Sequence, residues 1–462
     1  MTEAAPERAT QAPPWREVFR GALGRLTAGL LLLEMLVAME VLIVATVMPA
    51  VRRDLGDLHL YGWTFSAAGL GLFAAIPLAG HAADRFGSRR LLAVTLVLYA
   101  GGLTLAALAP SMLVLVLARL IQGAGGGGIY AVSLGTVAKT YPEDVRPRVL
   151  ALLAAMWVLP GLLGPPVGAV FASTVGWRWA FVVPIPLLVI AAALTFTALP
   201  RVAAEPTARI SLLWPIVLAI GAGAMLAGLT ELSLWTPVLI LGGLAVAAPA
   251  LTRIVPRGTL TARAGLPAAA AAAFLLSAAF LAVDAFLPLM LTDVRGRTVA
   301  EAGLVITLVT VAWSVGSWWQ SGAAARIGLP RLVRIGSWLV LAGTLTAFTG
   351  LSLEVPLAVS YIGWTVAGVG MGIAFPTIPL SVMNASAAGE EAGELSATLL
   401  MDTLGVAFGA GLGGASIALA ESSDASLAAG LVGAFGVAVV ATVVLLAIAR
   451  RIPEGRPVDS AA

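Results

Sequence analysis

Residues 26–48 read LTAGLLLLEMLVAMEVLIVATVM, 23 residues, enough to cross a hydrocarbon core of about 30 Å as a helix. Two carboxylates, Glu34 and Glu40, interrupt the apolar run. A charge near the bilayer centre costs roughly 2.5–3.5 kcal/mol even on the lenient insertion scale, so a lipid-facing helix would carry none. Such acids persist where they face protein or water, or where they take up a proton. One reading is a titratable group that loads and releases protons; the other is a structural acid held in a salt bridge.

Working outward, the whole chain has the same character. Of 462 residues, 60% are hydrophobic and 11% charged, with a mean hydropathy of +0.99. Soluble domains carry about 25% charge, so the fold class is an all-α polytopic membrane protein. There is no cysteine, which excludes disulfides, thiol redox chemistry and cysteine-ligated metals. Two histidines, His59 and His81, leave almost no material for a histidine metal site or a catalytic triad. No metal, no cofactor and no nucleic-acid partner is expected; the excess of +3 is better explained by arginines on one side of a membrane.

Apolar runs recur at roughly 26–48, 63–82, 91–108, 112–138, 148–173 and 178–198. Two shorter runs follow at 211–229 and 235–251, then six more at 266–291, 300–324, 332–351, 355–382, 393–418 and 426–449. The expected organisation is a cytoplasmic tail (1–25), a six-helix bundle (26–198), a linker with two extra spans (199–263), a second bundle (264–450) and a cytoplasmic tail (451–462). With the N-terminus inside, 21 basic residues fall in inner loops and tails. The outer loops hold five, Arg52, Arg53, Arg178, Arg295 and Arg297. That asymmetry follows the positive-inside rule and supports fourteen spans over thirteen. A multi-pass protein of the cell membrane with both termini cytoplasmic is therefore expected.

The halves resemble each other. GHAADRFGSRRLL after span 2 matches SGAAARIGLPRLV after span 10, aligning Arg85 and Gly87 with Arg326 and Gly328. GAGGGG in span 4 has its counterpart in AGVGMG of span 12, and Glu40 of span 1 in Asp284 of span 9. Paired halves of this kind mark a duplicated transporter.

Three motifs carry chemistry. In GHAADRFGSRR, Gly80 and Gly87 allow tight backbone passage while Asp84, Arg85, Arg89 and Arg90 place charge at the inner face. In ARLIQGAGGGG, residues 118–128, the glycines lie within an apolar span, which argues for close helix packing and against a dinucleotide loop. Arg119 of this motif sits some eight residues inside its span and needs a partner. Counting about 1.5 Å per residue puts Glu40 at the same depth, about 12 Å below the outer end. An opposite charge favours the ionised acid and desolvation the neutral one, so separating the pair would move a proton. In PGLLGPPVG, residues 160–168, Gly161, Gly164, Pro165 and Gly168 suit a bent helix approaching the other half closely.

Together these motifs resemble the major facilitator superfamily, in particular its fourteen-span drug:proton antiporter branch, over nearly the whole chain. The resemblance implies the major facilitator fold; the two extra linker helices carry no charge in their spans and are expected at the periphery. It also implies that the loop from Gly80 to Arg90 latches the halves on the cytoplasmic side. Independently of the resemblance, Glu390, Glu391 and Glu394 make the inner loop before span 13 acidic, and we expect them to meet those arginines across the halves. The arginine of the fourth-span motif is implicated in proton coupling in that family, and the span 5 signature is associated with exporters. MEVLIVATVMP departs from the branch's first-span pattern, with Glu40 for Asp and Leu42 for Thr.

The expected activity is proton-coupled export of lipophilic or cationic small molecules by alternating access, as in multidrug efflux and antibiotic resistance. The alternatives are export of a native lipid or secondary metabolite, or symport or facilitated transport of a small metabolite. Glu40, Arg119, Asp284 and Glu34 are the proton-coupling candidates. Gln122, Trp157, Trp313, Gln320 and Asp402 are the cavity candidates, with Trp318 and Trp319 as further π surfaces. No G-x-x-x-x-G-K-[ST] loop exists, and the sole lysine, Lys139, follows Ala138, so a proton gradient rather than ATP is the expected energy source. A monomer in the lipid bilayer with a small-molecule substrate completes the expectation.

Overall fold

A computed structural model describes residues 18–142, 145–199, 213–231, 233–387 and 390–454. The tail through residue 17, the link 200–212 and the tail from 455, with Arg8, Arg16, Arg201, Arg209 and Arg456, lie outside the described residues. Among the described residues, 14 helices are long and apolar enough to cross a membrane. Spans 1–6 are Gly21–Leu55, Leu58–Phe86, Ser88–Ala107, Met112–Thr140, Arg148–Val175 and Trp179–Ala198. Spans 7 and 8 are Leu213–Thr230 and Thr236–Ile254. Spans 9–14 are Leu266–Val294, Val299–Ile327, Leu329–Leu351, Leu357–Ala385, Gly393–Ser422 and Leu427–Arg451. In hydrocarbon every backbone polar group must be bonded within the protein, and a helix does this within one segment.

Two boundaries differ from the hydropathy reading. Span 1 starts at Gly21, taking Arg25 into the helix, and Glu391 and Glu394 form the first turn of a helix rather than a loop. Carboxylates there complement the positive end of the helix dipole.

The duplication is visible in backbone geometry. Gly87 and Gly328, which end spans 2 and 10, have φ/ψ of 86°/142° and 86°/143°, a conformation open to glycine. The glycine runs pack in the same register. Gly123 and Gly127 abut Ala68 and Leu72 of span 2, and Gly125 abuts Tyr99 of span 3. In the second half Gly368 and Gly372 abut Val309 and Trp313 of span 10, and Gly370 abuts Val340 of span 11. Each pair of counterparts on spans 2/10 and 3/11 is separated by 241 residues, and the glycines of spans 4/12 by 245.

We call the end carrying the links around 87, 140–148 and 328 the basic end. At the opposite, far end the halves are joined. Arg52 of span 1 pairs with Asp293 of span 9 at 2.7 Å, and the rings of Tyr61 and Phe286 lie 5.7 Å apart. Gly62 meets Gly414 and Ala410, and the Ser66 hydroxyl donates to the Ala407 carbonyl at 2.8 Å. All five far-end arginines find protein acceptors: Arg53 the Pro49 carbonyl, Arg178 Asp54, Arg295 the Gly350 and Val355 carbonyls, Arg297 Glu301. Asp293→Asn should weaken the seal by about 0.2–1 kcal/mol, as for a partly exposed pair. Spin-label distances across this end would read that as an up to about fivefold shift in the conformer ratio.

Toward the basic end the halves part. Val158–Val170 of span 5 packs on span 10, whereas Arg146–Ala155 packs chiefly on spans 1 and 4 of its own half. Asp84 pairs with Lys139 at 2.5 Å, again within one half.

The expectation that both extra spans are peripheral holds for span 8, which packs on span 7 and is otherwise largely exposed. Span 7 instead lies over the seam between spans 2 and 13. Thr230 accepts from the Trp63 indole at 3.2 Å, Leu226 covers Gly411, and Leu218 and Ala222 join Leu70, Phe73, Leu400 and Leu404. An apolar side chain facing protein and one facing lipid read alike in hydropathy, which is why the sequence did not separate the two.

Candidate functional site

Three polar clusters lie inside the apolar bundle. The first joins spans 1, 2, 3 and 4. Glu40 is 2% exposed and Arg119 4%, and Arg119 Nη1 donates to Glu40 Oε1. The same nitrogen donates to Gln122 Oε1 at 2.7 Å, three residues on and so on the same helix face, while Nε donates to the Thr64 carbonyl at 3.2 Å. A planar guanidinium fits this set because its donors have fixed directions. Gln122 fits because Gly102 of span 3 has no side chain where it packs, and buried Tyr99 stands against it from the same span. Taking both charges out of water costs several kcal/mol per ion, so the pair is a weak stabiliser. A proton on Glu40 would remove the anion and leave the guanidinium with Gln122 and a carbonyl.

The second cluster is nearer the basic end. Trp157 Nε1 donates to Glu34 at 3.0 Å, and Trp157 is 40% exposed where span 5 leaves the other half. Tyr130 of span 4 lies within electrostatic reach of both Glu34 and Asp402, acids of opposite halves.

The third cluster belongs to the second half. Trp364 Nε1 donates to Asp284 at 2.8 Å, and Ser277 donates to Asp402. Ser277 and Asp284 are seven residues apart, two turns along one face of span 9. Trp313 contacts Phe280 and Phe375 at centroid distances of 5.4 and 5.2 Å, and Phe280 stacks on Trp364 at 4.9 Å. Gln320 lies two turns from Trp313 on the same face of span 10, buried, its amide nitrogen without a protein partner.

The structure thus brings Glu40, Arg119 and Gln122 together, Glu34 with Trp157, and keeps Asp284 and Asp402 in the other half. Several expectations are corrected. Of the three signature glycines of span 5 only Gly161 faces the other half, at Thr310, where Pro165 also meets Gly303 of span 10; Gly164 and Gly168 face Leu42, Ile43 and Thr46 of span 1. Gly80 faces open space rather than a tight crossing. Trp318 is 79% exposed and Trp319 44%, so neither is packed in the core. At the link into span 6, Trp177 is buried and donates to Asp54 at 3.0 Å, while Trp179 is exposed. Of the loop arginines, Arg85 lies over Phe86 and Arg89 over Phe196 of span 6, while Arg90 is exposed. Sequence reasoning missed Tyr99, Thr64, Ser277, Tyr130 and Trp364. A signal existed for Trp364, which stands four residues before Gly368 as Arg119 stands four before Gly123.

The family model described as Major Facilitator Superfamily matches residues 30–410. The chain belongs to that superfamily. It is a multi-pass membrane transporter with fourteen spans. A protein of Mycobacterium tuberculosis (strain ATCC 25618 / H37Rv), named as a probable multidrug-efflux transporter, is 28% identical over 96% of this chain and 97% of its own length. Multidrug resistance protein 3 of Bacillus subtilis (strain 168) is 24% identical over 77% of this chain and 72% of its own. Among solved structures, a D-xylose–proton symporter aligns with a TM-score of 0.68 at 14% identity, covering 94% of this chain and 99% of that one. Within that fold the first cluster lies inside the first half and the third inside the second.

Proposed function

We propose that this transporter is a proton-coupled exporter of lipophilic or cationic small molecules. The observation that carries the reading is the buried Glu40–Arg119 pair, a titratable acid whose counter-charge sits on a different span of the same half. The names of the multidrug relatives support the substrate class and the direction. The basic end is the cytoplasmic one under the positive-inside rule, so the present conformation is open to the cytoplasm and sealed outside. The protein acts as a monomer with no cofactor, and both termini are cytoplasmic.

In the cycle, substrate enters between the halves past Trp157 and Glu34. Rocking about the mid-depth contacts opens the outer end, where protons reach Glu40, release it from Arg119 and favour substrate discharge. Return to the cytoplasm-open state restores the pair. Proteoliposomes loaded with substrate test this: imposing a pH gradient should drive net export, and collapsing it should stop export. Net movement in the same direction as protons would make the protein a symporter and overturn the reading.

The cytoplasmic latch fits the same cycle. Glu394 is half-buried at the start of span 13, and Asp84 pairs with Lys139 of its own half. Closing the cytoplasmic end would bring Glu394 toward Arg85, Arg89 or Arg90. Glu394→Arg should disfavour the outward-open state by about 1 kcal/mol, roughly fivefold, in spin-label distances. An unchanged ratio sinks the latch.

A further inference from the structure

The repeat places Trp364 where the first half has Arg119. Both stand four residues before the matched glycines, and each donates to the acid of the first span of its own half, Glu40 or Asp284. The other polar members are lost as well: Gln122 corresponds to Ala367, and Tyr99 to Val340. One niche is therefore a carboxylate with its own guanidinium. Its twin is a carboxylate with an indole N–H and three more rings, and no basic residue among the described ones acts on Asp284.

We propose that Asp284 is the seat for the positive charge of a lipophilic cation, which takes the place the guanidinium occupies in the first half. Phe280 and Trp364 are buried against each other, and the accessible rings of Trp313 and Phe375, packed on that pair, supply the faces that a desolvated onium group prefers. Asp284 is only half-buried, and Trp313 and Phe375 are also accessible, so the niche has an approach. The proposal rests on the export reading for its substrate class, and it separates the roles of two acids: Glu40 carries the proton, Asp284 the substrate charge.

Equilibrium binding to the full chain in nanodiscs tests it without any gradient, using methyltriphenylphosphonium as the cation and triphenylphosphine oxide as a neutral probe of similar shape. Asp284→Asn should weaken phosphonium binding at least tenfold and leave the neutral probe within about threefold; Asp284→Glu should retain binding of both. Trp364→Arg, which installs the counterpart guanidinium, should also expel the phosphonium, whereas Gly436→Ala, where an added Cβ meets nothing within 4 Å, should not. Wild-type protein that fails to bind the phosphonium overturns the proposal. So does equal loss of both probes in Asp284→Asn, or full phosphonium binding in Trp364→Arg. Failure of gradient-driven export of a neutral substrate would instead count against the export reading alone.

Discussion

In Glu40→Gln, export driven by a pH gradient is expected to vanish, while exchange of substrate at equal pH persists. Glutamine keeps the shape and an oxygen that accepts from Arg119, so the fold and the cavity survive; it removes the charge that binds and releases a proton. Arg119→Ala should be far more disruptive. It strands Glu40 in a site only 2% exposed, and breaking a buried pair by removing one partner costs about 3–5 kcal/mol. The double variant, with neither charge, should regain much of that loss in thermal unfolding. A double-mutant cycle with additive effects would show that the two side chains are not coupled, and the mechanism would go with them.

The contrast between these acids explains what could be read from the sequence. The fourteen spans were legible because length and apolarity are a one-dimensional signal. The Glu40–Arg119 contact was legible because a charge in a span must find a partner, and depth can be counted at 1.5 Å per residue from each end. Neutral partners give no such warning. Trp364 and Ser277 look like ordinary span residues until the chain folds them against Asp284 and Asp402. Facing was also hidden: Gly161, Gly164 and Gly168 share a motif yet serve two interfaces, because successive steps of three and four residues walk round the helix. The same ambiguity concealed span 7, whose leucines cover a seam between halves where hydropathy alone suggests lipid.

That seam supplies the second large effect. A Cβ built on Gly62 would lie 2.6 Å from Gly414 Cα and 2.8 Å from the Ala410 carbonyl oxygen, and one built on Gly414 would lie 2.8 Å from Gly62 Cα. The obstacles are backbone atoms, which cannot swing aside as a flexible side chain would. Gly414→Val should therefore force spans 2 and 13 apart at the far end. These residues meet across the two halves, so the penalty falls on the sealed state and spares the state in which they separate. Overpacking of this kind costs about 1–3 kcal/mol, a roughly 5- to 150-fold shift toward the conformer open at that end. Cysteine accessibility at positions 58 and 418 should rise accordingly, and export should fall because the cytoplasm-open state is no longer reached. Gly436→Ala, where a Cβ meets nothing within 4 Å, serves as the control and should leave both readouts unchanged. If Gly414→Val kept the wild-type conformer ratio, the close glycine contact would not be what seals the protein, and alternating access would need a different hinge.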